Sequence, residues 1–285
     1  MQRKLHPLEG IVAICALLFV LFVSVGFAQA QEVRKIALRS SSALVQDAET
    51  GAVVIGKNTD AVVSIASITK LMTAMVILDR GLDLQTKIVL SRDDTRAIRG
   101  SRTRLRSGAS LTRDELLMLS LMASENLAAA ALGRTYPGGM DAFVEAMNAK
   151  AAKLDMTDTH FVEPTGLSPE NVSSARDLAS LVRAANGYPL IREYSTRERG
   201  TVTVFKRPVS FGNTNRLVRS SQWDIELSKT GYISQAGRCL VMRVHLGSKD
   251  LIVVLLDSWG RQSRIGDANR IRKWLESTAG TGHSS

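Results

Sequence analysis

The sequence is poor in the residue types that most often carry acid–base or metal chemistry. Its 285 residues include only two cysteines and four histidines. No His-x-x-x-His spacing and no neighbouring cysteine pair occurs, so we predict neither a metal centre nor a bound cofactor. After residue 30 the histidines are His160, His245 in a strand pattern and His283 near the C-terminus. A catalytic triad built on histidine is therefore a poor hypothesis.

Long apolar runs are also scarce, and the one long run lies at the N-terminus. A basic start is followed by the uncharged run Ile11 to Phe27 and by Ala28-Gln29-Ala30, a small-x-small cleavage site. This pattern predicts an export signal over residues 1–30 and a mature chain that begins near Gln31 in the periplasm. An uncleaved membrane anchor is the alternative, because seventeen apolar residues are nearly enough to span a bilayer.

Removal of residues 1–30 leaves a single cysteine and a net charge of +9, so the mature chain cannot form an intramolecular disulfide. Cys239 lies in the apolar strand pattern RCLVMRV, which favours a small buried residue over a reactive thiol. The positive charge is scattered and is not clustered with aromatic residues, which argues against nucleic acid as a partner. It suits an exported protein that meets anionic polymers of the cell envelope.

The order of the predicted elements indicates an α+β fold. Apolar runs at Ala43 to Val45 and Ala52 to Ile55 flank a turn sequence and predict a hairpin. Helical patterns fill roughly residues 67–195, strand patterns begin at Thr201, and a closing helix is predicted over Arg261 to Glu276. We expect the N- and C-terminal strands to share one antiparallel sheet, with helices packed on its faces.

A serine and a lysine stand three residues apart at the start of the first predicted helix. On a helix, the Lys70 amine can reach the Ser67 hydroxyl. An amine with the ordinary lysine pKa of about 10.4 would be protonated and could not act as a base. Desolvation and a second nearby cation would lower this pKa. The alternative to a nucleophile and its base is an ordinary helix start with a solvated lysine that has no catalytic role.

Two further motifs meet the requirements of such a site. Lys229-Thr230-Gly231 supplies a second cation on a predicted strand, where glycine allows close approach of backbone or ligand. The ammonium and the Thr230 hydroxyl could bind a substrate carboxylate. Ser124 and Asn126 interrupt an apolar helical pattern, and they could relay a proton and orient the substrate backbone.

The positions of the three motifs in the predicted elements make a chance occurrence of all three less plausible. Average composition alone gives roughly one S-x-x-K, roughly one S-x-N and about 0.1 of a K-T-G in a chain of this length. Here the first opens a predicted helix, the second breaks a buried helix and the third ends a predicted strand, in an order that fits one domain. Together they indicate that Ser67 is a nucleophile.

With these motifs the sequence resembles the low-molecular-mass penicillin-binding proteins, the D-alanyl-D-alanine carboxypeptidases and endopeptidases. The likeness extends to SLMASENLAAAALGRTYPGG, THFVEPTGLSPENVSSARDLA and LSKTGYISQAGRCLVMR, and these segments look closest to the DD-endopeptidase branch. It implies the fold of serine β-lactamases and penicillin-binding transpeptidases, with a helical subdomain in the middle. The domain would cover residues 31–278, and a flexible tail would follow at 279–285.

The resemblance also implies residue roles. Ser67 would attack the carbonyl of the penultimate D-alanine of peptidoglycan peptides, with Lys70 as general base and Ser124 in the proton relay. The backbone amides of Ser67 and Tyr232 would form the oxyanion hole. Lys229 would hold the substrate carboxylate or tune the amines, and β-lactams would acylate the serine. The middle motif has Glu125 where aspartate is common, which we interpret as a mark of the subfamily.

Three alternatives to an endopeptidase stay open from the sequence. A D-Ala-D-Ala carboxypeptidase is the nearest, although the polar residues after Trp274 do not resemble an amphipathic anchor helix and predict at most loose membrane association. A β-lactamase needs a separate carboxylate base, for which Glu163 and Glu170 are the residues to consider. The third alternative is an inactive scaffold that binds the cell wall.

Three arginines lie near segments that flank the predicted cleft. They are Arg264 and the pair Arg216 and Arg219. We interpret them as surface charge and leave them out of the predicted site.

Overall fold

The structure, a computed structural model, describes residues 36–280 without the side chains of residues 279 and 280, and the elements below belong to the unit that begins at Leu38. This part of the chain contains eleven strands and eight α-helices. The strands are Ser40–Asp47 (β1), Val53–Lys57 (β2), Val63–Ser64 (β3), Lys87–Val89 (β4), Ser110–Thr112 (β5), Val172–Ser173 (β6), Arg199–Val204 (β7), Arg207–Gly212 (β8), Asp224–Ile233 (β9), Gly237–Leu246 (β10) and Lys249–Ser258 (β11). The helices are Thr69–Asp79 (α1), Arg92–Ala97 (α2), Arg113–Met122 (α3), Asn126–Arg134 (α4), Gly139–Lys153 (α5), Ala175–Ala185 (α6), Pro189–Thr196 (α7) and Ser263–Gly280 (α8).

Five of the strands form one antiparallel sheet in the order β2-β1-β11-β10-β9. The prediction that N- and C-terminal strands share a sheet is thus confirmed, since β1 pairs with β11 with Ala43 opposite Leu255. The central strands are apolar at nearly every position and are buried on both faces, which requires a layer on each side. Helix α6 and helix α8 both pack against β1, β10 and β11 and supply these layers.

The helical middle of the chain forms the second part of the fold. Helix α1 lies at its centre, with nine of its eleven residues buried. Helix α3 begins at a capping box, in which Thr112 and Glu115 each accept from the other's backbone amide. It ends at Met122 and α4 begins at Asn126, so the predicted interruption of the buried helix is confirmed.

Several elements differ from the predicted pattern in extent or pairing. The strand over TVTVF pairs only with its neighbour β8 in a separate two-stranded sheet. Lys229-Thr230-Gly231 lies inside β9, which continues to Ile233 because it stays paired with β10. Helix α8 extends to Gly280, beyond the predicted end at Glu276.

The predicted signal at 1–30 and residues 281–285 of the predicted tail lie outside the described residues.

A buried carboxylate joins the last helix to the first strand. Asp267 of α8 is fully buried and accepts hydrogen bonds from the backbone amides of Arg39 at 3.0 Å and Ser40 at 2.7 Å, and from the Ser40 hydroxyl at 2.6 Å. Arg270 also donates to it. Burial raises the pKa of Asp267, but these hydrogen bonds outweigh burial and hold the pKa below its usual range. The carboxylate therefore stabilises the pairing of distant chain segments.

Replacement of this carboxylate should destabilise the fold. We expect Asp267→Asn to lower the free energy of unfolding by about 2 kcal/mol at pH 7, because charge-assisted hydrogen bonds to buried donors are lost. The depressed pKa of the folded state means that this contribution is present above about pH 4 and is lost at lower pH. Urea denaturation of both proteins at pH 7 and pH 3 measures the difference.

Asp93→Asn serves as the control, because Asp93 forms an exposed ion pair with Arg96 and should change stability by less than about 1 kcal/mol. Equal unfolding midpoints for wild type and Asp267→Asn at pH 7 would show that this carboxylate does not hold the segments together.

Candidate active site

Ser67 lies on a tight 3-10 turn, Ala66–Ile68, that leads directly into helix α1. Ala66 has a φ of +48°, a strained value for a residue with a side chain. The turn brings the Ser67 hydroxyl to the first turn of α1, where it is 9% exposed. The side chain is thus held in a fixed place but remains within reach of a ligand.

The amine of Lys70 is completely buried and contacts three oxygen atoms. Its Nζ lies 2.8 Å from Oγ of Ser67 and 2.7 Å from Oδ1 of Asn126, and it also donates to the carbonyl oxygen of Thr165. Asn126 is the first residue of α4, and Thr165 belongs to the loop between α5 and α6. Three separate elements therefore fix the position of one amine.

These three contacts can satisfy an ammonium ion, and they can equally satisfy a neutral amine. An amide oxygen and a carbonyl oxygen can only accept hydrogen bonds, so Asn126 and Thr165 take the two hydrogens of an –NH₂ group. The lone pair of Lys70 is then left for the Ser67 hydroxyl, which can donate. Burial lowers the pKa of Lys70 to about 7, although the charges of Glu163 and Glu125 act in the opposite direction. The predicted effect of desolvation on this lysine is present in the structure.

Ser124 and Lys229 form the second pair. Ser124 follows the end of α3 with a φ of +56°, and this turn directs its hydroxyl to Nζ of Lys229 at a distance of 2.9 Å. Lys229 is 1% exposed, and the pKa of its amine is lowered by burial and by the charges of Lys70 and Arg264. The charge of Lys70 thus lowers the pKa of Lys229, whereas the pKa of Lys70 is lowered by burial and not, as predicted, by the second lysine.

Gly231 brings strand β9 against the turn that carries the serine. A Cβ atom at this position would lie 2.9 Å from the carbonyl oxygen of Ile65 and 3.1 Å from the backbone nitrogen of Ser67. Any side chain would push the strand away, so the glycine permits the close approach. The next residue, Tyr232, has a side chain that is 56% exposed at the edge of the site.

The structure brings the predicted residues together in two groups. Hydrogen bonds join Lys70 to Ser67 and Asn126, and another joins Ser124 to Lys229. Of the other three, Gly231 packs on the serine turn, Thr230 donates to the Thr214 hydroxyl at 2.6 Å, and the Tyr232 ring lies under the Arg238 guanidinium at 4.5 Å. Among the described residues, no hydrogen bond connects the two groups directly.

The loop that supplies the Thr165 carbonyl is organised by Glu163. Its carboxylate accepts from the backbone amides of Thr165 and Gly166, both at 2.6 Å, and from that of Ser168 and the Asn171 side chain. A second constraint is the glycine itself, because a Cβ on Gly166 would lie 2.0 Å from the carbonyl oxygen of Ala66. The carboxylate is therefore engaged in holding the loop against the serine turn.

Sequence reasoning missed two contacts in this region and misjudged a third. The carbonyl of Thr165 and the hydroxyl of Thr214 belong to no motif, and a carbonyl oxygen has no sequence signature. Arg264 is not a surface charge as predicted, because its Nη1 donates to the carbonyl oxygens of Gly231 at 2.8 Å and Cys239 at 3.1 Å. A signal was available, since Arg264 stands in a turn of α8 whose apolar face packs on the sheet.

Other chemical groups near the site are inert or absent in the part of the chain described. Cys239 is fully buried, and burial raises the pKa of its thiol to about 11, so the prediction of a small buried residue is confirmed. Between residues 36 and 280, no group of three or more His, Cys, Asp or Glu side chains is placed to hold a metal ion. Nor does this part of the chain contain a helix with the length and apolar character needed to cross a membrane.

Comparison with known proteins agrees with this geometry. A family model described as D-alanyl-D-alanine carboxypeptidase matches residues 28–260. Similar proteins include the D-alanyl-D-alanine endopeptidases of Pseudomonas aeruginosa and Escherichia coli, which are 49% and 46% identical over 84% of this chain and 78% of theirs. The D-alanyl-D-alanine carboxypeptidase DacC of Escherichia coli is 30% identical over 94% of this chain and 68% of its own length.

Solved structures give the same result for the fold. A Streptomyces DD-transpeptidase superimposes with a TM-score of 0.78 at 27% identity, over 84% of this chain and 98% of its own. A D-alanyl-D-alanine carboxypeptidase from Mycobacterium tuberculosis also has a TM-score of 0.78, at 26% identity, over 87% of this chain and 95% of its own. The predicted α+β fold of penicillin-binding transpeptidases is confirmed. The chain belongs to the D-alanyl-D-alanine carboxypeptidase family.

Proposed function

We propose that this protein is a serine DD-peptidase that hydrolyses the bond between D-alanine and a following D-amino acid in peptidoglycan, and that its main substrate is the cross-link. The observation that carries the proposal is the Lys70 amine, buried and 2.8 Å from the Ser67 hydroxyl, with a pKa lowered to about 7. A lysine of this kind can act as a base at neutral pH. The serine can therefore be activated without histidine.

In the proposed acylation step, the neutral Lys70 amine takes the proton of the Ser67 hydroxyl as Oγ bonds to the substrate carbonyl carbon. The backbone amides of Ser67 and Tyr232 stabilise the resulting oxyanion. The proton that Lys70 took passes through the Ser124 hydroxyl, which is hydrogen-bonded to Lys229, to the leaving nitrogen. The carbon–nitrogen bond breaks, and Lys70 is neutral again. The products of this step are an ester on Ser67 and a free amine.

In the proposed deacylation step, water attacks the ester carbonyl and gives a proton to the neutral Lys70 amine, which passes it to Oγ of Ser67 as the ester bond breaks. During acylation the carboxylate of the leaving group lies beside Lys229 and Thr230. Asn126 has two roles in this scheme. Its oxygen holds the amine of Lys70, and its –NH₂ group, which donates to no other described residue, remains free to bind the substrate backbone.

A cross-link is favoured over a terminal D-alanine as substrate by the similarity to endopeptidases. Identity to two D-alanyl-D-alanine endopeptidases is 46–49%, against 30% to the carboxypeptidase DacC. Carboxypeptidase activity is the second candidate, because the reacting groups would be the same. The proposal also includes export by the predicted signal at residues 1–30 to the periplasm, where the polymer is found, and acylation by β-lactams as substrate mimics.

The β-lactamase alternative is disfavoured by the hydrogen bonds of its candidate carboxylates. Fast hydrolysis of a β-lactam ester needs a carboxylate that is free to activate water. Glu163 is engaged by three backbone amides and by Asn171, while Glu170 lies exposed on the surface. An inactive scaffold is disfavoured because buried amines at Lys70 and Lys229, each hydrogen-bonded to a serine hydroxyl, stabilise no fold by themselves.

The proposal predicts a specific dependence of acylation on pH. The rate at which a penicillin acylates Ser67 should rise with pH and reach half of its maximum near pH 7, because only the neutral Lys70 amine accepts a proton. Asn126→Asp places a negative charge beside the amine and should move this midpoint upward by about 1 to 3 pH units. Stopped-flow measurement of acylation from pH 5 to pH 10 provides the midpoints.

The exposed Asn58 offers a matched control, and Asn58→Asp should leave the midpoint in place. A wild-type rate that keeps rising toward pH 10 would mean that Lys70 titrates as an ordinary lysine and is not the base.

A second prediction concerns the nucleophile and the substrate. Fluorescent penicillin should label the wild-type protein, and Ser67→Ala and Lys70→Ala should abolish the label, whereas Ser64→Ala three residues earlier should retain it. Purified cross-linked dimers should be converted to monomers faster than D-alanine is released from uncross-linked pentapeptides, as followed by chromatography with mass detection. Labelling that persists in Ser67→Ala refutes the nucleophile, and faster release of D-alanine makes the protein a carboxypeptidase.

A further inference from the structure

A pocket rich in arginine adjoins the proposed active site. It has a volume of about 450 Å³. The residues that line it are Thr214, Arg216, Arg238, Arg261, Gln262, Arg264 and Ile265. Four guanidinium groups around one depression are unusual, because like charges repel each other unless an anion lies between them.

The pocket adjoins the part of β9 that carries Lys229-Thr230-Gly231. Thr214 in the pocket wall receives a hydrogen bond from Thr230, and Arg264 donates to the carbonyl oxygen of Gly231. A ligand bound beside Lys229 and Thr230 can therefore extend into the pocket without leaving the protein surface. The pocket lies on the side of the site where the leaving part of the substrate is bound in the proposed reaction.

The positive charge of the pocket is not neutralised by the protein. Among residues 36–280, no carboxylate lies within 4.0 Å of a guanidinium nitrogen of the four arginines. Burial, and after it the neighbouring charge of Arg238, lower the pKa of Arg264 to about 10. An anion in the pocket would relieve this repulsion.

Two of the four guanidinium groups remain available to a ligand. Arg264 donates to backbone carbonyls, and Arg238 lies over the ring of Tyr232. Arg216 and Arg261 are exposed, and neither side chain has a hydrogen bond or ion pair within the described residues. A guanidinium group binds a carboxylate through two parallel hydrogen bonds, so these two arginines are suited to carboxylate recognition.

We propose that this pocket binds a carboxylate of the leaving peptide, through Arg216 and Arg261 with Arg238 alongside, and so selects cross-links. The inference rests on the proposed function. A single D-alanine as leaving group has one carboxylate, which lies beside Lys229 and Thr230. A stem peptide as leaving group carries further carboxylates, and the pocket offers the next site along its path. The arginines are specificity residues and take no part in bond breaking.

The test compares two substrates on two proteins. One substrate is a cross-linked dimer with free carboxylates in the leaving peptide. In the other these carboxylates are amidated, except the one next to the scissile nitrogen. Wild type should have a kcat/KM about tenfold or more higher for the acidic substrate, mainly through KM. In the double variant Arg216→Gln and Arg261→Gln the two values should become similar.

Arg80→Gln removes one positive charge at the residue that follows α1, ten residues and about 15 Å from Lys70, and should keep the wild-type preference. The rate at which penicillin labels Ser67 shows whether each variant has a folded site. Equal kcat/KM for both substrates in wild type, or a preference that survives in the double variant, would overturn the inference. Wild type that cleaves neither substrate and is not labelled by penicillin would instead overturn the proposed function and this inference with it.

Discussion

The environment of the Lys70 amine is the constraint on which the rest of the site depends. Burying an ammonium ion costs free energy. The Lys70 amine has two obligatory hydrogen-bond acceptors and one hydroxyl as its neighbours. The arrangement can satisfy a neutral amine completely when the Ser67 hydroxyl donates to its lone pair. Because the amine is wholly enclosed, its pKa is set by burial and not by solvent. The proposed activation of the serine then depends on the hydrogen bond between Lys70 and Ser67.

Much of the fold can be understood as support for that enclosure. Helix α1 has no polar face, since it crosses the centre of the helical layer and buries Lys70 among apolar side chains. The sheet supplies Lys229 from β9, and glycines at 166 and 231 allow the loop and the strand to contact the serine turn. Strained backbone at Ala66 and Ser124 directs the turn and the second hydroxyl. Such strain is maintained only by tightly packed surroundings.

The sequence predicts those parts of this structure that have a local signature. The hairpin and the shared sheet follow from periodicity and turn residues, and the break at Ser124 follows from polar residues in an apolar helix. The Thr165 carbonyl and the Thr214 hydroxyl could not be predicted, because long-range folding alone brings them to the motif residues. Arg264 is different, because its place on the predicted closing helix was a signal that could have been used. It is misjudged because an arginine near a helix start looks like an exposed charge when the sheet beneath the helix is disregarded.

The most direct test of this account is the pKa of Lys70 itself. NMR titration of the protein with ¹³C-labelled lysine side chains, with the Lys70 signal assigned by its loss in Lys70→Arg, measures it without reference to any substrate. The account predicts one lysine that titrates near pH 7, clearly separated from the exposed lysines. A Lys70 signal that stays in the ammonium form up to about pH 10, the ordinary lysine range, would contradict it.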